Sequence, residues 1–161
     1  MTLLDVYLQD HHAGAVVGVE LARRAAKSNR GNAYGPDLDA ITTEIEEDLR
    51  ELERVMDELR VPRARLKDTA AWVAERVGRL KRNGTWLSYS PLSRMVELEG
   101  LMLGVTAKLG LWEALASGAA AVPDAIDLER LASRARDQRS RLDRLRLNAA
   151  AEALGDGRGE I

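Results

Sequence analysis

The chain contains no cysteine, and that single absence excludes a disulfide framework, thiolate zinc sites and a thiol nucleophile together. Histidine is nearly absent too: His11 and His12 are the only two, and adjacent in sequence they cannot build the usual nucleophile triad with a strand-to-helix elbow. No GxGxxG, phosphate-binding Walker pattern, GxSxG or HExxH occurs. No segment alternates apolar and polar residues in the manner of a strand, and no repeat of fixed period runs along the chain. Net charge is low, formally -2 over 161 residues of which 31% are charged, so the total does not call for nucleic acid or an anionic membrane as partner. Trp72, Trp86 and Trp112 are too scattered to form a stacking platform. Lack of cysteine agrees with a reducing cytoplasm. The opening MTLLDVYLQDHH has no basic segment before its charge arrives at Asp5, so no secretory signal is expected.

What is present is helical periodicity, in about five segments. Residues from about Leu3 to Ser28 place Leu4, Leu8, Ala15, Ala22 and Ala26 on one face with His12 and Val19 beside them. Gly14 and Gly18 cost that helix roughly 1 kcal/mol each against alanine, which suggests close packing there. A second helix starting near Pro36 carries Leu38, Ile45, Leu52 and Leu59 at spacing seven, with Thr42, Leu49 and Met56 between them. It holds ten acids between Asp37 and Glu58 against Arg50 and Arg54. Val61-Pro62 stops it. A third helix, to about Lys81, is basic, and a short connection predicts that it lies antiparallel beside the acidic one.

The stretch from Pro91 to Ala116, PLSRMVELEGLMLGVTAKLGLWEALA, follows Ser90 as N-cap and is apolar on nearly every side. Such a helix is expected to be buried all round. Glu99, Lys108 and Glu113 make a membrane span the poorer reading. A last helix from about Asp124 to Leu154 repeats Leu128, Leu131, Ala135, Leu142, Leu145 and Ala149, with Gln138 in the same stripe. Its seven arginines from Arg130 to Arg146 are interleaved with acids and read as a solvated, salt-bridged face. The organisation expected is one helical-bundle domain over 1–154, a four-helix core plus one, and a disordered tail over 155–161.

Chemistry, if any, rests on a few polar side chains. Glu99 lies on the stripe of Met95, Met102, Thr106 and Leu109, where a carboxylate must be paired, hydrogen-bonded, metal-bound or neutral. His11 or His12, Lys108 and Arg141 are its candidate partners. Asp48, three residues after Ile45 and four before Leu52, borders the core, as does Glu44. His12 and Glu20 fall near one helix edge. His11, His12, Glu20, Asp48 and Glu99 therefore form the candidate metal or ligand cluster, and no catalytic set emerges.

Long helices aiming carboxylates and a histidine at a common core resemble the ferritin-like superfamily, in which two helices each supply a glutamate and two a Glu-x-x-His. On that resemblance Glu20 stands for the first-helix glutamate and Glu99 for the ligand of the Pro91–Ala116 helix. Helix two offers Glu44-Ile45-Glu46-Glu47, and the last helix Gln138-Arg139-Ser140-Arg141, where a Glu-x-x-His stands in the family. The resemblance thus implies an all-α antiparallel bundle with a degenerate site and a binding or structural role, no cofactor being required. The alternative it implies is an iron- or manganese-binding, or small-ligand-binding, protein with a redox or stress role. DHHAGA and PLSRMVELEGLMLGVTAKLGLW are also similar to stretches of small bacterial helical proteins, which implies no activity. The expected partners are a second copy of the chain, as a homodimer, or a small ligand, with no membrane and no nucleic acid.

Overall fold

The computed structural model describes residues 1–63 and 89–155. These form four α-helices: α1 (Leu3–Ser28), α2 (Gly35–Glu58), α3 (Pro91–Ala114) and α4 (Leu128–Gly155). The basic third helix read from the sequence, and its pairing with the acidic one, fall on residues outside those described, as does the tail beyond Gly155.

Local chemistry sets the helix ends. Thr2 and Asp5 form a reciprocal capping box, with Thr2 N–H donating to Asp5 Oδ2 at 2.6 Å and Asp5 N–H to Thr2 Oγ1 at 3.1 Å. Gly35-Pro36 opens α2 with proline in the first turn, where its missing N–H costs nothing. Ser90 Oγ accepts from the Ser93 N–H at 3.1 Å to start α3. Asp127 Oδ1 does the same for Arg130 at the head of α4. The C-terminal end of α3 widens into a π-type turn, Leu115–Ala119, and the chain leaves it through Gly118 at φ 81°, a left-handed conformation glycine reaches without Cβ strain.

Side-chain pairs along the helices show how they run. Gln9, His12 and Arg23 of α1 meet Pro62, Glu53 and Glu46, so α1 and α2 are antiparallel. Glu44, Asp48, Glu51 and Arg54 of α2 meet Arg141, Arg134, Arg130 and Ala125 in falling order, which makes α2 and α4 antiparallel. Arg94, Lys108 and Glu113 of α3 meet Glu152, Gln138 and Arg136, and Arg24 of α1 meets Glu97, so α3 opposes both α4 and α1. The four helices close a square in the order α1, α2, α4, α3, with α2 and α3 running the same way on one diagonal. The connection from residue 59 to residue 90 therefore joins opposite ends of the bundle.

The core takes a slightly different face of each helix than spacing alone picks out. On α2 the fully buried residues are Leu38, Ile41, Leu52, Val55 and Met56, with Asp48, while Thr42, Leu49 and Leu59 stand half-buried at its edge. The expectation that α3 is buried on all sides is corrected: Leu103 is 69% exposed and Leu92 52%. A square of four helices covers only the inward half of each, so Leu98, Leu101, Val105, Leu109 and Trp112 carry the burial on α3. Each such leucine, fully buried, contributes about 1.5–3 kcal/mol. Among the described residues, no helix is long and apolar enough to cross a membrane.

Candidate functional site

Among the described residues, two polar networks and one cleft occupy the interior. The first network centres on Asp48, 2% exposed although it is a carboxylate. Periodicity puts Asp48 between Ile45 and Leu52 on the inward face of α2, and the facing positions of α3 and α4 answer it. The Lys108 ammonium donates to Asp48 Oδ2 and, at 2.6 Å, to Gln138 Oε1. Arg134 donates to Asp48 Oδ1 and, at 2.8 Å, to Glu47 Oε2. The Gln138 amide nitrogen donates to Glu44 Oε2 at 3.0 Å and to Asp48 Oδ2 at 3.1 Å, and Arg141 donates to Glu44. Three cations thus face Asp48, Glu44 and Glu47, and both functional ends of the fully buried Gln138 are used. Burial pushes the Lys108 ammonium below its ordinary pKa, with the Asp48 charge opposing.

The second network ties the start of α3 to the end of α1. Tyr89 donates to Glu97 Oε2 at 2.9 Å, Asn29 donates to the Tyr89 hydroxyl at 2.8 Å, and Arg94 Nε donates to Asn29 Oδ1 at 2.7 Å. Arg94 continues to Glu152 at 2.6 Å and lies over the Tyr34 ring at 4.4 Å. Arg24 Nε stands 2.9 Å from Glu97 Oε1, as an ion pair whose N–H is not aimed at that oxygen. Burial raises the Glu97 carboxyl, and the Tyr89 hydroxyl and Arg24 pull it back. Burial also pushes Tyr89 up to about 12.

The cleft lies between α1, α2 and α3 and has a volume of about 320 Å³. Gly14 and Gly18 on α1 and Gly104 on α3 line it, and among the described residues a Cβ added at any of the three would meet nothing within 4 Å. The expectation that Gly14 and Gly18 serve close packing is thereby corrected. Of the described glycines lining the cleft, only Gly100 faces a near neighbour, Leu21 Cδ2, 3.2 Å from where its Cβ would be. Lys108 and Asp48 reach the cleft from the first network, and the fully buried Trp112 forms part of its wall; among the described residues its buried indole N–H has no hydrogen-bond partner. His11, stacked edge-on against Tyr7 at 4.6 Å, stands with Asp10 on the α1 side. Burial lowers the His11 pKa, the Asp10 charge opposing, which favours the neutral imidazole.

The five residues singled out from the sequence are dispersed. His11 and Asp48 line the same cleft. His12 is buried against Glu53, with Nε2 3.1 Å from its Oε1. Glu20 is an exposed partner of Arg23 at 2.8 Å. Glu99 is half-buried, and the carboxylate that α3 buries is Glu97. Its proposed partners Lys108 and Arg141 serve Asp48 and Glu44 instead. Among the described residues, no three His, Asp or Glu side chains are grouped so as to hold a metal ion. The residues present therefore do not fit a di-metal centre: the inward-facing acceptors of Asp48 and Glu44 already take Lys108, Arg134, Gln138 and Arg141.

Sequence reasoning passed over Trp112, Gly104 and Glu97. Glu97, Leu101, Val105, Lys108 and Trp112 follow one another at helical steps of three and four, but the apolar composition of α3 makes several such stripes look equivalent. The arginines of α4 are not simply a solvated face: Arg134 and Arg141 turn inward, their side chains 18% and 17% exposed.

With this geometry in hand, the chain was compared with protein-family models, with curated proteins and with solved structures, and none of the three comparisons gave a match.

Proposed function

We propose that this protein is a small-molecule-binding helical bundle that uses the cleft between α1, α2 and α3 and carries out no reaction of its own. The observation that carries this reading is the set of helix-interior glycines facing open space beside a half-buried Lys108. A glycine inside a helix costs roughly 1 kcal/mol against alanine, and here no close helix approach offsets that cost at Gly14, Gly18 or Gly104. At about 320 Å³ the cleft falls at the small end of the roughly 300–1,000 Å³ typical of ligand sites, and its walls are mainly aliphatic.

We read the bundle itself as ferritin-like. Supporting this is the order of its helices, two antiparallel pairs joined by one long end-to-end connection. In that frame Gln138 occupies a place where the family has a metal-binding Glu-x-x-His, and it hydrogen-bonds Lys108, Glu44 and Asp48. Positive charge in the centre comes from lysine and arginine, and the remaining opening takes an organic ligand.

The test is an NMR screen of the full ¹⁵N-labelled chain with small neutral, anionic and cationic organic molecules. Binders are expected to shift the amides of Gly14, Gly18 and Gly104 together. Gly14→Ala with Gly104→Ala should weaken binding at least fivefold, and Gly110→Ala, whose added methyl also meets nothing but lies outside the cleft, should leave it unchanged. Shifts scattered over the surface, or none, would refute the reading.

A further inference from the structure

The charges around the cleft narrow the chemistry of what it holds, an inference that rests on the binding reading above. At its buried end Lys108 and Arg134 face Asp48, Arg134 also faces Glu47, and Arg141 faces Glu44. Three cations meet three carboxylates there, so that end adds no net charge to the cavity. The Lys108 ammonium, donating to Asp48 and Gln138, is committed to the bundle rather than to the opening.

The α1 side is different. Asp10 lines the cleft and is exposed, and among the described residues no lysine or arginine pairs with it. Arg63, whose neighbour Pro62 accepts from Gln9, is held by Asp57 and Glu53. His11 lines the cleft as well, and burial lowers its pKa although the Asp10 charge opposes, so the imidazole adds no positive charge at neutral pH. The rim therefore keeps one negative charge above walls that are mainly aliphatic, among them Leu49, Leu101, Val105 and Leu111. Water weakens the field of an exposed charge, but a charge at the mouth of a low-dielectric cleft still selects the sign of what enters.

We infer that the cleft takes a monocationic organic molecule, a primary or secondary amine with a compact apolar body, whose ammonium stays at the rim beside Asp10. The body lies against the glycine faces of α1 and α3. A head group left at the rim keeps its contact with water and so avoids the cost of burying an ammonium. An anion would meet the Asp10 charge with the cations of the buried end already taken, and a neutral molecule would gain nothing from it.

A matched series tests it on the full chain: cyclohexylmethylammonium, cyclohexylmethanol, methylcyclohexane and cyclohexanecarboxylate, each titrated by NMR at low salt and followed at the amides of Gly14, Gly18 and Gly104. The amine should bind at least threefold more tightly than the alcohol of the same shape, and the carboxylate most weakly. In Asp10→Asn the amine and the alcohol should bind within twofold of each other. Asp39→Asn removes one exposed charge of the same sign outside the cleft, and it should leave the preference for the amine intact. Should Asp10→Asn fail to fold, salt decides: about 0.5 M should reduce the preference of the native chain for the amine, since exposed charges are screened. Equal binding of amine and alcohol, preference for the carboxylate, or the same loss in both variants would overturn the ligand class and leave the binding reading standing. Failure of all four molecules to shift the cleft amides would overturn both.

Discussion

Lys108 of α3 donates to Asp48 of α2 across the centre of the bundle, on the diagonal that no short connection joins. Asp48 is 2% exposed, and the side chain of Lys108 is 14% exposed. Desolvating the two charges is costly, and the geometry offsets that cost by adding Arg134 to one carboxylate oxygen and Gln138 to the other. The pair thereby fixes the relative register of α2, α3 and α4 while it forms part of the cleft.

Removing the charge of Asp48 leaves the half-buried Lys108 without its carboxylate partner and Arg134 with Glu47 alone. Asp48→Asn is expected to lower unfolding free energy by about 3–5 kcal/mol in urea titration. Asp48→Leu combined with Lys108→Met should cost at least ~1 kcal/mol less than the sum of the two single variants, because the double change removes both halves of a coupled pair. Additive losses would show that the two side chains are not energetically linked.

Glu97 gives a pH signature of defined sign. Its carboxyl pKa in the fold lies above the ordinary 4.5 because burial penalises the charged form. The folded state then holds the proton to higher pH than the unfolded chain, so this group's contribution is fully present below pH 4.5 and is lost as pH rises through the folded value. The stability of the native protein minus that of Glu97→Gln should accordingly fall as pH rises above 4.5, measured by urea unfolding at each pH. A difference that stays level or rises would contradict the desolvation argument.

The glycines divide by what surrounds them. A Cβ at Gly35 would stand 2.8 Å from the backbone oxygen of Asn29, and backbone cannot move aside as a flexible side chain can. Gly35→Ala should therefore destabilise by about 1–3 kcal/mol, the range of overpacking. Gly110→Ala, in open space within α3, should stabilise by up to about 1 kcal/mol. Thermal unfolding of the two variants checks both signs.

Much of the fold was legible in the sequence. Pro36 and Ser90 punctuate helices whose apolar residues recur every three or four positions, and those helices start close to where these signals put them. Asp48 bordered the core by spacing alone, and it is buried. Glu99 was misjudged for Glu97 because both sit on a helix with apolar residues on nearly every face, where the period identifies stripes without ranking them. The opening at Gly14 and Gly18 was read as tight packing, since a glycine in a helix allows close approach but does not require it.

The sequence by itself therefore determined the helical class, the starts of the first three described helices and the exclusion of thiol chemistry, because caps, prolines and periodicity act over a few residues. Only the tertiary structure decided which side of α3 faces inward, which carboxylates lose water, and where three helices stand apart to leave a cleft. Those outcomes depend on side chains as far apart as Asp48, Lys108 and Gln138, whose pairing energy exists only after the helices that carry them have met.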